Sequence, residues 1–74
     1  MPQEYKFQAV CTSAEVLRSA LRELPKIEGI TGIKRAVSLK PVLEGLIRDD
    51  SDVFQKVMKF NKEHPSIRLT ILVP

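Results

Sequence analysis

The stretch PVLEGLIRD, residues 41–49, decides the topology of this chain, because it can be read with either of two periods. As a strand, it points Leu43, Gly45 and Ile47 one way and Val42, Glu44, Leu46 and Arg48 the other, with Lys40-Pro41 in a tight hairpin turn before it. As a helix, it has Pro41 at the favoured first position, and Leu43, Leu46 and Ile47 at i, i+3 and i+4, running on into Phe54, Val57 and Met58. Against the helix stand Gly45 in mid-element, costing about 1 kcal/mol relative to Ala, and Asp50 inside the apolar seam. The DDSD cluster at 49–52 also reads as a fresh helix start, with Ser51 or Asp52 as cap and acidic side chains facing the positive end of the dipole. The strand is the preferred reading, and the helix stays open as the alternative.

The other elements are plainer. Residues 4–11, EYKFQAVC, alternate, with Tyr5, Phe7, Ala9 and Cys11 on one side, which predicts a half-buried strand. Thr12 and Glu15 have the spacing of a capping box, and Val16, Leu17, Ala20, Leu21 and Leu24 then follow a helical period from about residue 13. Pro25 stops that helix at Leu24, and a loop with Gly29 and Gly32 leads to a second strand, IKRAVSLK, over 33–40. From 53 a second helix turns Val53, Phe54, Val57, Met58 and Phe60 inward and Lys56, Lys59 and Lys62 outward, ending before His64-Pro65. In the last segment, SIRLTILVP, Ile67, Leu69, Ile71 and Val73 alternate with Arg68, Thr70 and Leu72, the clearest strand in the chain.

With 41–48 as a strand, the order is β-α-β-β-α-β. This predicts an α+β, ferredoxin-like sandwich: a four-stranded antiparallel sheet ordered 4-1-3-2 with two helices on one face. With 41–48 as a helix, the order is β-α-β-α-β on three strands. A chain of 74 residues is expected to form one small domain, 1–74, burying roughly 60% of the surface of its unfolded form and leaving no room for a cleft between two domains.

The ferredoxin-like arrangement leaves one sheet face uncovered. The alternation places Val10, Leu46 and Leu72 near its apolar middle. Lys6, Lys34, Lys40, Arg48 and Arg68 stand towards its edges, against one acidic residue, Glu44. Such a face suits either a partner sheet or a polyanion. Base stacking is not expected, since VLEGLIR has no aromatic residue and Tyr5 and Phe7 point to the helices. The net charge of +3, from 12 basic and 9 acidic residues, is modest for a nucleic-acid binder.

The single cysteine, Cys11, lacks a second thiol for a disulfide or a CxxC site, which fits a reducing, cytoplasmic compartment. No apolar run approaches the ~20 residues of a membrane span, and MPQEYKF lacks a signal-peptide pattern, so no membrane association is expected. One histidine, His64, lies far from Cys11, so neither a zinc site nor a cofactor is expected. Cys11 precedes a helix start, where a thiol can be activated, but CTSAEV has no glycine to cradle phosphate, and Leu17 stands where a phosphatase needs arginine. A compact core cysteine is the expectation. His64 reads as a helix-end histidine, Gly29-Ile30-Thr31-Gly32 as a turn, Asp49, Asp50 and Asp52 as capping groups, and lysines 56, 59 and 62 as a solvated stripe.

The succession VLRSALRELPKIEGI, an apolar hairpin, and DSDVFQKVMKFNKEHPSIRLTILV resembles the effector-binding (RAM/ACT-like) half of the Lrp/AsnC regulators, which also occurs as a stand-alone module. In that family a first helix ends in "L..LP.V", an acidic residue follows strand three, and "P.V" introduces the last strand. The resemblance implies sheets paired face to face in a dimer, with a small-molecule effector or protein partner at the interface and no helix-turn-helix in this chain. The family's hairpin glycine and acidic residue are replaced here by VSLKPVLEG, so no ligand residue is carried over. The expectation from sequence is a non-enzymatic, self-associating regulatory module working through Val10, Leu46 and Leu72 as a homodimer. A nucleic-acid-binding protein using the basic face is the alternative.

Overall fold

A computed structural model describes residues 3–72. The elements follow in the order β1 (Glu4–Cys11), α1 (Ala14–Glu23), a 3-10 turn (Leu24–Lys26), β2 (Ile30–Arg35), β3 (Val42–Arg48), α2 (Val53–Glu63) and β4 (Ile67–Leu72). The ambiguous segment is a strand. Four strands make one sheet in the order β2-β3-β1-β4, every pair antiparallel, so the α+β ferredoxin-like topology holds and the three-stranded alternative falls.

The core forms where the odd-numbered residues of β1, β3 and β4 meet the helices. Phe7, Ala9, Leu43, Ile47, Ile67 and Leu69 from the sheet pack with Leu17, Ala20, Leu24, Val53, Val57 and Phe60. Gly45 belongs to the same face and is paired with Phe7 across the strands. A Cβ at position 45 would stand 2.7 Å from the Phe7 ring and 3.0 Å from the Thr31 carbonyl oxygen. The glycine that weakened the helical reading is thus the space into which the Phe7 ring fits.

Several sequence expectations shift. α1 is capped by Ser13, whose hydroxyl accepts from the Val16 N–H at 3.2 Å, and not by a Thr12–Glu15 box. Thr12 still prolongs the sheet, its N–H donating to the Ser66 carbonyl, so the extended-to-helical switch falls one residue later. β2 spans Ile30–Arg35 where 33–40 was expected. Gly32, at φ +64°, lets the chain bulge inside the strand instead of before it, between the paired positions Thr31 and Lys34. Pro41 has no N–H to add to the ladder, so pairing ends where the Ala36 N–H donates to the Val42 carbonyl. Residues 37–40 therefore form an arm in place of strand and tight turn.

In α2 the stripe Val53, Val57, Phe60 faces the sheet, while Phe54 and Met58, expected inward, are 55% and 70% exposed because they lie about a quarter-turn round the helix. In α1, Leu21 is likewise partly exposed. Val73, expected to continue the alternation of β4, lies outside the described residues.

Candidate interaction face

The pairing of β1 with β3 and β4 fixes which residues share the uncovered face, since directly opposed residues point the same way. Three rows cross it. One runs Thr31, Leu46, Lys6, Leu72; the next runs Lys34, Glu44, Gln8, Thr70; the third runs Val42, Val10, Arg68. Glu4 and Arg48 are opposed beyond the first row.

Leu46 and Leu72 are 36% and 44% exposed, and they flank Lys6 instead of touching as one apolar patch. Val10 lies two rows away, half-buried beside Val42, which is itself buried and stands outside the main core. Four of the five expected cations, Lys6, Lys34, Arg48 and Arg68, lie on the face. Lys40 does not: it belongs to the arm, its backbone N–H donating to the Ser38 hydroxyl at 3.1 Å. Strand pairing ends at Ala36, before Lys40, while the β2 bulge brings Thr31 onto the face with Lys34.

The charge balance also changes. Glu4 joins Glu44 on the face, its carboxylate accepting from the Thr31 hydroxyl at 3.4 Å. Glu44 pairs with Lys34 at 3.6 Å. Among the described residues, Lys6, Arg48 and Arg68 have no ion-pair partner. A shallow hollow of about 230 Å³ opens beside Leu46, lined by Lys6, Gly32, Lys34 and Glu44. The face is therefore uneven, with two protruding leucines, a hollow, and charges of both signs.

Both edges of the sheet are interrupted. β2 carries the bulge at Gly32. On β4, the Asn61 side chain accepts from the Leu69 N–H at 2.7 Å and donates to the Leu69 carbonyl at 2.9 Å, taking the place of a neighbouring strand.

The groups weighed for chemistry stay apart. Cys11 is buried, its thiol against the Ala9 carbonyl at 3.9 Å, and burial pushes its pKa up, away from the activated thiolate. The His64 ring rests on Phe60, centroids 4.5 Å apart. Gly29 and Gly32 hold left-handed φ values of +94° and +64° around the start of β2, with a strand following them. Among the described residues, no three of His, Cys, Asp and Glu gather as a metal-binding group.

The lysine stripe needs a correction. Lys56 bonds the Asp50 carboxylate at 2.8 Å, reaches Asp52 at 3.7 Å, and donates to the Glu28 carbonyl at 3.3 Å. Its hydrogen bond holds the Asp50 carboxyl below the usual range, and the same bond raises the Lys56 ammonium. Asp52 occupies the N-cap position of α2 without a capping bond from its side chain; Asp50 accepts from the Asp52 N–H instead. The i, i+4 spacing of Asp52 and Lys56 was the available signal.

Set against known protein families, curated proteins and solved structures, the chain finds no match in any of the three. No described helix is long and apolar enough to cross a membrane.

Proposed function

We propose that the protein is a non-enzymatic interaction module that associates with a second copy of itself through the uncovered sheet face. The observation that carries this reading is the charge and apolar pattern of that face. Leu46 and Leu72 flank Lys6, with Glu4 and Glu44 set among Lys6, Lys34, Arg48 and Arg68. In a two-fold interface each patch meets its own copy, so cations and anions must share one surface, and here Glu4 and Glu44 answer part of the four cations. A face built for phosphates has no use for the two carboxylates. The interrupted edges point the same way, because growth by strand addition is hindered on β4 by Asn61 and on β2 by the bulge.

The resemblance to the effector-binding half of the Lrp/AsnC regulators supports the same reading, with the hollow beside Leu46 as the place for a small effector or protein partner. The test is solution mass across a concentration series at two salt levels, for the wild type and for Leu46→Lys. A wild-type dimer that becomes monomeric in the variant supports the proposal. A monomeric wild type, or a variant that dimerises as well as the wild type, removes it.

Nucleic-acid binding is the second reading, favoured by Lys6, Arg48 and Arg68, which have no ion-pair partner among the described residues. Its signature is affinity for a labelled oligonucleotide that falls steeply with salt and is lost on reversing Arg48 and Arg68 to Glu.

A further inference from the structure

Residues 36–41 connect β2 to β3, a longer path than the about two to five residues that hairpins ordinarily use. Ser38 lies in the middle of it, exposed, with both of its neighbours standing clear of the fold. Its hydroxyl oxygen accepts the Lys40 N–H at 3.1 Å, and among the described residues the hydroxyl hydrogen is given to no acceptor. Three places before the serine is Arg35, the last residue of β2, exposed and without an ion-pair partner among the described residues. From Gly29 to Leu43 the chain has three cations, Lys34, Arg35 and Lys40, and no carboxylate. Ser51 supplies the contrast: it too follows an arginine by three places, Arg48, but Asp49, Asp50 and Asp52 surround it. No other serine or threonine of the chain has an arginine at that distance.

We propose that Ser38 is a phosphorylation site, modified by a protein kinase that selects a cation ahead of its target. The inference is independent of any association through the sheet face. Such a kinase discriminates by charge, attracting the cation before the acceptor and repelling carboxylates around it. The arm offers this pattern in the folded chain, with Arg35 fixed at the end of a strand and the acceptor projecting beyond it, whereas Ser51 has the arginine and the wrong surroundings. In the transfer, the Ser38 Oγ attacks the γ-phosphorus of magnesium-bound ATP. The new O–P bond forms as the bond to the β-phosphate oxygen breaks, the electron pair of that bond leaves with ADP, and the hydroxyl proton passes to the catalytic carboxylate of the kinase. The product adds about −1.5 to −2 charge to a stretch that holds only cations, where Arg35 and Lys40 are the nearest groups in sequence able to pair with it.

The experiment incubates the full chain, well below its melting temperature, with magnesium-ATP and the catalytic subunit of cyclic-AMP-dependent protein kinase. Phosphate is counted by intact mass and located by fragmentation. The expected result is one phosphate per chain, on Ser38, none on Ser38→Ala, and a kcat/KM at least tenfold lower for Arg35→Ala. Both substitutions are at exposed positions, and circular dichroism melting of each variant checks that the fold is kept. Three results would each overturn the proposal: no phosphate on the folded wild type, phosphate on Ser51 or another hydroxyl in place of Ser38, or an Arg35→Ala variant modified as fast as the wild type.

Discussion

The carboxamide of Asn61 satisfies both backbone groups of Leu69, so a side chain of α2 does for the outer edge of β4 what a fifth strand would do. Replacing Asn61 by Ala leaves a partly shielded N–H and C=O to water and is expected to cost about 1–2 kcal/mol. The urea midpoint should fall with an unchanged slope, and Asn61→Asp, which keeps the acceptor and loses the donor, should also lie below the wild type. An Asn61→Ala midpoint equal to that of the wild type would show the clamp to be inert.

Gly45 admits no side chain while Phe7 keeps its ring. Gly45→Ala should destabilise the fold by about 1–3 kcal/mol, the usual cost of overpacking. Much of that loss should be recovered in Phe7→Leu/Gly45→Ala, measured as a double-mutant cycle; strictly additive losses would count against the contact.

The Asp50–Lys56 pair gives stability a defined pH window. The Asp50 carboxyl is lowered in the folded state, so its contribution is complete above the unfolded carboxylate range and disappears as pH falls through the folded value. The Lys56 ammonium is raised, so its contribution is complete below the unfolded lysine value and disappears as pH rises through the folded one. The melting temperature of Asp50→Asn, compared with the wild type, should therefore differ most between about pH 5 and pH 9 and converge in strong acid. A constant difference across the whole range would mean that the pair adds nothing.

Cys11 is expected to react with a thiol reagent only as the chain opens. Labelling should be slow in buffer and complete in denaturant, and Cys11→Ala should keep the oligomeric state. Rapid labelling of the folded protein would reinstate an activated thiol.

These contacts mark where the sequence was legible. β1, β3 and β4 keep one period throughout, so alternation located them; helical spacing found α2 and its Val53, Val57 and Phe60 stripe but turned Phe54 and Met58 inward as well, and Gly45 within VLEGLIR tipped the ambiguous segment towards strand. β2 was misplaced because Gly32 changes its phase midway, putting Thr31 and Lys34 on one face although they are three residues apart. The limit that Pro41 sets on the hairpin was present in the sequence as a missing N–H. The Asn61–Leu69 clamp has no signature in any period, being a side-chain-to-backbone contact across a turn. The open face was readable residue by residue; its division by Lys6 emerges only from the pairing of β1 with both neighbours.

The strand order carries one more consequence. β1, from the first half of the chain, lies between β3 and β4 of the second half, and the two halves are joined through the arm. A chain cut between residues 36 and 41 would yield two pieces, neither able to build the sheet alone: each holds one central and one edge strand, and the two strands of a piece are separated in the sheet by a strand of the other. Mixed together, they would have to find each other to fold, which makes this small domain a natural two-fragment reporter whose reassembly reads out proximity.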